Sequence, residues 1–247
     1  MGGQIRIGIG GWVYEPWRGA FYPESLRQKD ELAYVGRHLA ATEINATYYS
    51  TQKPATFAKW AEAVPDGFRF AVKASRFCTN RRVLAEAGES IMKFVGQGLA
   101  ELGDRLGPIL WQFMPTKQFD PDDFGAFLKL LPACVDGLPL RHALEVRHDS
   151  FDDPAFLAMA RDAGAAVVLV DHQEYPALEG YDVGFSYLRL MRSKEEEVSG
   201  YSAADIGQWA ERLRQKAKTG DIFAFFISGA KIRNPAAALA MIQRLDG

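Results

Sequence analysis

The sequence predicts a single (β/α)8 barrel of the TIM type, and three observations predict it. Eight short apolar runs of strand length recur along the chain. Longer segments with helical spacing separate them, and the 247 residues match the roughly 250 of one such barrel. Helix after strand, repeated, implies parallel strands joined by crossovers, because antiparallel neighbours need only a tight turn. One domain over 1–247 is the economical reading, since neither a low-complexity linker nor a repeat of roughly 20 to 50 residues divides the chain.

The strands are expected at 5–10, 42–45, 68–74, 109–113, 143–147, 166–170, 185–190 and 222–227. Between them, apolar residues recur at the i, i+3, i+4, i+7 spacing of a helix packed on a sheet. One stripe is Phe57, Trp60, Ala61 and Val64; a second runs through Ile91, Phe94, Val95, Gly98, Leu99 and Leu102. Phe124, Phe127, Leu128 and Leu131 form the third, Phe156, Met159, Ala160 and Ala163 the fourth, and Ile206, Trp209, Ala210 and Leu213 the fifth. Asp120, Asp153 and Asn234 each precede a proline, the pattern of an N-cap followed by an N1 proline. Ser202 with Asp205 resembles a capping box in which Asp replaces Glu. Pro176, Gly180 and Gly184 interrupt the sixth crossover, which should be irregular. The charged stretch 191–199 reads as a solvated loop after strand seven, or as a lid.

Composition narrows the classes. With 48% hydrophobic residues, 16 Phe, 9 Tyr and 5 Trp, the chain can fill one large core, and global disorder is excluded. The 29 basic and 31 acidic side chains give no global field toward nucleic acid or an anionic membrane, so neither is expected as a partner. A small-molecule ligand, anionic at a local cationic pocket, is expected instead. Cys78 and Cys134 lack CxxC spacing, which suits a reducing cytosol. No basic segment followed by a long apolar run opens the sequence, and no run approaches the roughly 18 apolar residues of a span. A cytoplasmic protein is the expectation.

The stretch IGIGGWVYEPWRGAFYP at 7–23 resembles the opening of the YecE-like family, also called domain-of-unknown-function family seventy-two. The resemblance continues through TEINATYYS at 42–50, FAKW at 57–60, FRFAVKASR at 68–76, LWQFMP at 110–115, LEVRHDSF at 144–151, YLRL at 187–190 and the Tyr201 and Trp209 segment. It implies a TIM-barrel fold and a biochemical role not yet assigned. The chain departs from the family pattern where a His-Gly pair is usual and Met191 and Arg192 stand. It departs again where consecutive asparagines are usual and Ile227 and Ser228 stand, and at Asn80, where a histidine is usual. It therefore reads as a divergent member.

Strand alternation says which side chains meet. In a barrel, residues i and i+2 share one face, and sites form at the C-terminal strand ends. Period two turns Lys73 inward, opposite to Phe70 and Val72; it pairs Glu43 with Asn45, Glu145 with Arg147 and Arg189 with Tyr187, and directs Gln112 inward. Two carboxylates, three cations and two amides should then converge. Unpartnered charges buried there would cost several kcal/mol each, so they either form a closed ion-pair network bracing the upper barrel or hold a ligand.

As catalysts, Glu43 and Glu145 suit a general acid and base, with Lys73 tuning them. Arg147, Arg189 and Arg192 suit a clamp for carboxylate or phosphate, because the guanidinium fork matches both. Asn45 and Gln112, with Trp12 and Tyr48 from the aromatics after strands one and two, would complete the substrate contacts. The pair Gly10 and Gly11 permits close backbone approach or a turn. His148 and His172 lie beside Glu145 and Asp171, but no HxxxH-type spacing supports a metal, and the sequence requires no cofactor. GxSxG, GxxxxGK[ST] and GxGxxG are missing from the contexts that give them meaning. The functional expectation is an uncharacterised barrel enzyme using acid-base chemistry on a small anionic or polyhydroxylated metabolite. The competing expectation is a non-catalytic binding or interaction barrel whose charge network is structural. Substrate and oligomeric state are left open.

Overall fold

The computed structural model describes residues 2–247, and the expected strands close into one parallel barrel. They are β1 (Ile5–Gly10), β2 (Ala41–Ile44), β3 (Arg69–Lys73), β4 (Leu106–Gln112), β5 (His142–Glu145), β6 in two pieces (Ala166–Val167 and Leu169–Asp171), β7 (Phe185–Leu190) and β8 (Asp221–Phe226). β1 pairs with both β2 and β8, and successive strands pair in parallel around the ring. Closure passes through β6: its first piece pairs with β5 at Ala166 and Ala143, its second with β7 at Leu169 and Leu188. Val168 between them still donates its N–H to the Leu144 carbonyl at 2.9 Å. The break in β6 is thus a change of partner within one strand.

Alternation sorts the strands into two cores. Ile7, Ile9, Ile44, Phe70, Val72, Trp111, Leu144, Leu188 and Ala224 face the helices. Ala41, Ala71, Leu110, Ala143, Phe185, Tyr187, Phe223 and Phe225 fill the barrel. The filling is lopsided, with rings from β7 and β8 opposed by small residues from β1, β2 and β3. Gly8 completes the small side: a Cβ there would lie 2.3 Å from the Ala41 carbonyl oxygen, so only glycine fits.

The outer helices follow the expected stripes with one exception. α5 (Gly88–Val95) stops early and the chain continues as 3-10 turns over Leu99–Arg105. The cause is Gly98, at φ 115°, where a Cβ would lie 2.6 Å from the Pro54 Cα. Helix α3 (Pro54–Glu62) packs too close for the stripe 91–102 to run as one helix. Asp120 caps α6 (Pro121–Lys129) by accepting from the N–H groups of Asp122 and Asp123 at 3.0 and 3.1 Å. Asp153 caps α7 (Pro154–Asp162) through the Ala155 N–H at 2.7 Å. Ser202 caps α8 (Ala203–Lys216) through the Asp205 N–H at 3.1 Å, while the Asp205 carboxylate accepts from the serine hydroxyl instead of reaching the backbone.

Asn234 is not an N-cap: the final helix begins on it, and its buried amide donates to the Ser228 carbonyl at 3.1 Å and accepts from the Ser193 hydroxyl at 2.8 Å. The sixth crossover contains no helix, in keeping with its interruptions at Pro176, Gly180 and Gly184. A short hairpin, Cys134–Val135 with Leu138–Pro139, lay outside the expected strands although Asp136-Gly137 is a hairpin turn signal; both residues have positive φ. Among the described residues no helix is long and apolar enough to cross a membrane.

Candidate functional site

The charged residues that alternation turned inward meet at the C-terminal end of the barrel. Arg189, on β7, reaches across the interior to β2 and β5. Its Nε and Nη2 donate to both oxygens of Glu43, at 3.1 and 3.0 Å, and its Nη1 donates to Glu145 Oε2 at 2.7 Å. Tyr187 donates its hydroxyl to Glu43 Oε2 at 2.7 Å. The other Glu145 oxygen accepts from Gln112 Nε2 at 2.9 Å and Arg147 Nε at 2.6 Å. Both carboxylates are fully buried, Arg189 nearly so, and every carboxylate oxygen is occupied. This is the satisfied network that a low-dielectric interior requires.

Burial alone would push the Glu145 carboxyl up, but the Arg189 and Arg147 charges and the two hydrogen bonds outweigh it and hold the group at about 2. Its ionisation therefore contributes stability that is full above an unfolded value near 4.5 and is lost as pH falls toward 2. Glu145→Gln is expected to flatten that acid limb. Thermal unfolding of both proteins from pH 2 to 6 checks it, and identical slopes would dismiss the assignment.

Lys73 differs from the other cations. Its Nζ sits 4.1 Å over the Tyr48 ring; among the described residues no carboxylate lies within 4 Å of it, and it makes no hydrogen bond to the protein but opens toward solvent. Burial, then the nearby Arg189 charge, bring its amine down to about 8 against the pull of Glu43 and Glu145. The Tyr48 hydroxyl accepts from Asn80 Nδ2 at 3.0 Å. The residue standing where the family resemblance implies histidine thus fixes the ring beneath Lys73.

Above the network opens a cleft of about 790 Å³, within the usual range for small-molecule sites. Lys73, Gln112, Arg147, Arg189, Asn45 and Trp12 line it, whereas Glu43 and Glu145 lie below its floor. Tyr48 supports Lys73 from behind while its neighbour Tyr49 reaches the cleft. Arg192 falls outside: its Nη1 lies 3.7 Å from Asp171 in a separate, smaller pocket. Its backbone N–H is taken by the Tyr201 hydroxyl, so strand seven turns away from the mouth there. Gly11, at φ 74°, makes the turn after β1, and a Cβ on Gly10 would strike Ile227.

Several contributors escaped sequence reasoning. Tyr175, in the helix-free sixth crossover, lies 4.5 Å under the Arg147 guanidinium and stacks on His172 at 4.1 Å. Lys231 stands on the rim, 4.2 Å over Tyr14. Ile227 and Ser228 line the cleft. Ser228 takes φ 60°, a strained value for a non-glycine residue, and its carbonyl accepts from Asn234 and Ser193. No local periodicity marks Tyr175 or Lys231. His148 accepts the Ser150 N–H at 3.1 Å and His172 that of Glu174 at 3.1 Å. Loop 191–199 is pinned by Lys194 to Gly200 and Arg233 to the Glu195 carbonyl, and it does not line the cleft.

The family profile of a protein of unknown function, DUF72, matches residues 6–247. The chain belongs to the DUF72 family. UPF0759 protein YunF of Bacillus subtilis (strain 168) is 25% identical over 158 residues, which are 62% of this chain; the match spans about half of YunF, 54%. Two solved DUF72 structures share the fold. That from Thermotoga maritima MSB8 has a TM-score of 0.78 at 22% identity, covering 99% of this chain and all of that one. That from Enterococcus faecalis V583 has a TM-score of 0.76 at 19% identity, covering 99% and 96%. Membership in DUF72 and these likenesses fix the TIM-type barrel architecture and assign no reaction.

Proposed function

We propose that this chain is an enzyme that seats a small anionic metabolite in the barrel mouth and moves a proton there with Lys73. One observation carries the reading: at the strand ends two carboxylates face three cations, leaving Lys73 without a partner, and Lys231 on the rim adds a second positive charge that no carboxylate pairs among the described residues. A carboxylate or phosphate in the cleft supplies the missing counter-charge. Arg147 and Arg189 offer remaining N–H groups to it, while Asn45, Gln112 and Trp12 orient the rest of the molecule. Glu43 and Glu145, fully engaged with arginines, act in this reading as buried counterions that fix the cations. The amine at about 8 is the group poised to exchange a proton near neutral pH.

The test is thermal unfolding in phosphate, in small mono- and dicarboxylates and in neutral sugars. An anion at 100 times its dissociation constant adds about 2.7 kcal/mol, worth roughly 2–4 °C per kcal/mol for a chain of this size. Anions are expected to raise the melting temperature and neutral sugars to leave it unchanged. Arg147→Ala is expected to abolish most of the rise. A second reading, a non-catalytic barrel whose charges only brace the mouth, draws on the complete ligation of Glu43 and Glu145 and on Ile227 and Ser228 lining the cleft where the family resemblance implies asparagines. No shift with any anion would favour it.

A further inference from the structure

We propose that Lys73 is a nucleophilic amine that forms an imine with the carbonyl carbon of a small anionic ketone or aldehyde held in the cleft. This rests on the anion-binding reading above and adds to it the carbonyl group and the covalent step.

The contacts of Lys73 are those of an amine kept available. A lysine whose task is to neutralise buried glutamates sits against one; here Arg189, Arg147, Gln112 and Tyr187 occupy every carboxylate oxygen first. Lys117 shows the contrasting arrangement, with its Nζ 2.6 Å from Asp123 and 2.8 Å from the Arg82 carbonyl. Among the described residues the neighbour that orients the Lys73 nitrogen is the π face of Tyr48, while the phenol oxygen accepts from Asn80 instead. The ring face holds the ammonium by cation–π attraction, and once the proton is off no protein acceptor or donor among the described residues engages the lone pair.

Position does the rest. Lys73 ends β3 at the barrel mouth, the end where such folds keep their reactive side chains. Arg147 and Arg189 line the same cleft, so an anionic group bound between them brings a neighbouring carbonyl to the amine. Desolvation beside a second cation is the environment in which lysines serve as nucleophiles, and it brings this amine to about 8.

The step balances without a co-reactant. The nitrogen lone pair adds to the carbonyl carbon as the C–O π bond breaks, giving a carbinolamine. The oxygen then departs as water carrying the two protons that the nitrogen gives up, and C=N forms. Nothing is oxidised or reduced, and hydrolysis is the reverse.

The experiment incubates the whole protein at pH 7.5 with pyruvate or dihydroxyacetone phosphate, adds sodium borohydride, and maps the modified lysines by peptide mass spectrometry. The expected result is one reduced adduct on Lys73, formed on the order of a hundred times faster than at exposed lysines, which hold far less free amine at that pH. Excess phosphate should suppress it and Lys73→Arg should lack it. Mapping on the wild-type protein decides the matter even if that variant folds poorly. Anion-induced thermal stabilisation without an adduct at Lys73, or with labelling spread evenly over exposed lysines, would overturn the imine and leave the anion site standing. Absence of both stabilisation and adduct would overturn both.

Discussion

Arg189→Met is expected to cost about 3–5 kcal/mol of folding stability, the range for removing one partner of a buried ion pair. The arginine serves two fully buried carboxylates at once. Among the described residues, methionine leaves the Glu43 charge with only the Tyr187 hydroxyl and leaves Glu145 Oε2 with no hydrogen bond. The loss should appear in urea unfolding at pH 7 as a lower midpoint with little change in slope. Adding Glu43→Gln is expected to recover part of the loss, because most of the cost is the stranded charge. A single-variant loss under about 1 kcal/mol would mean that the network contributes far less than its geometry implies.

Lys73→Met should move stability the other way. The folded amine titrates at about 8, below the 10.5 of an unhindered lysine, so between those values the unfolded chain holds the extra proton. Stability therefore rises as pH climbs from about 8 to about 10.5, and at pH 7 the full penalty of burying the ammonium is present. A methionine of similar length removes it, and the variant is expected to gain about 1–3 kcal/mol at pH 7, or several degrees at roughly 2–4 °C per kcal/mol. The gain should shrink toward zero above pH 10.5, and the response to phosphate should disappear. Stabilisation joined to loss of binding is the signature of a group kept for function against the interest of the fold. A variant less stable than wild type at pH 7 would instead make Lys73 a structural counterion.

Much of this was legible in the sequence, for physical reasons that differ by element. Period two slips once, where β4 shifts register between Leu106 and Ile109, but it holds at the C-terminal strand ends, so TEIN, AVK, LEVR and YLRL alone turned Glu43, Lys73, Glu145 and Arg189 to one interior. What alternation cannot supply is distance along a side chain. It grouped the two glutamates as an acid and base at the mouth, whereas Arg189 holds them beneath the floor of the cleft. It also carried Arg192 into the site because it follows strand seven, although the backbone leaves the barrel one residue earlier. Tyr175 and Lys231 come from loops, where no repeat exists to read. The break at Gly98 was likewise invisible, since its cause is Pro54, far away in sequence.

The split sixth strand gives the ring a seam. Its two pieces hold their neighbours by two and three paired positions, and while the helix Pro154–Asp162 packs on the first piece, the crossover that follows adds no second helix. What the ring lost in reinforcement, the mouth gained in reach. Chain that elsewhere would coil against the outer wall is free to climb over the lip, and it carries Tyr175 under Arg147. The thinnest stave of the barrel and the ring that seats Arg147 therefore belong to a single segment, so a ligand that orders Arg147 is expected to steady the seam as well.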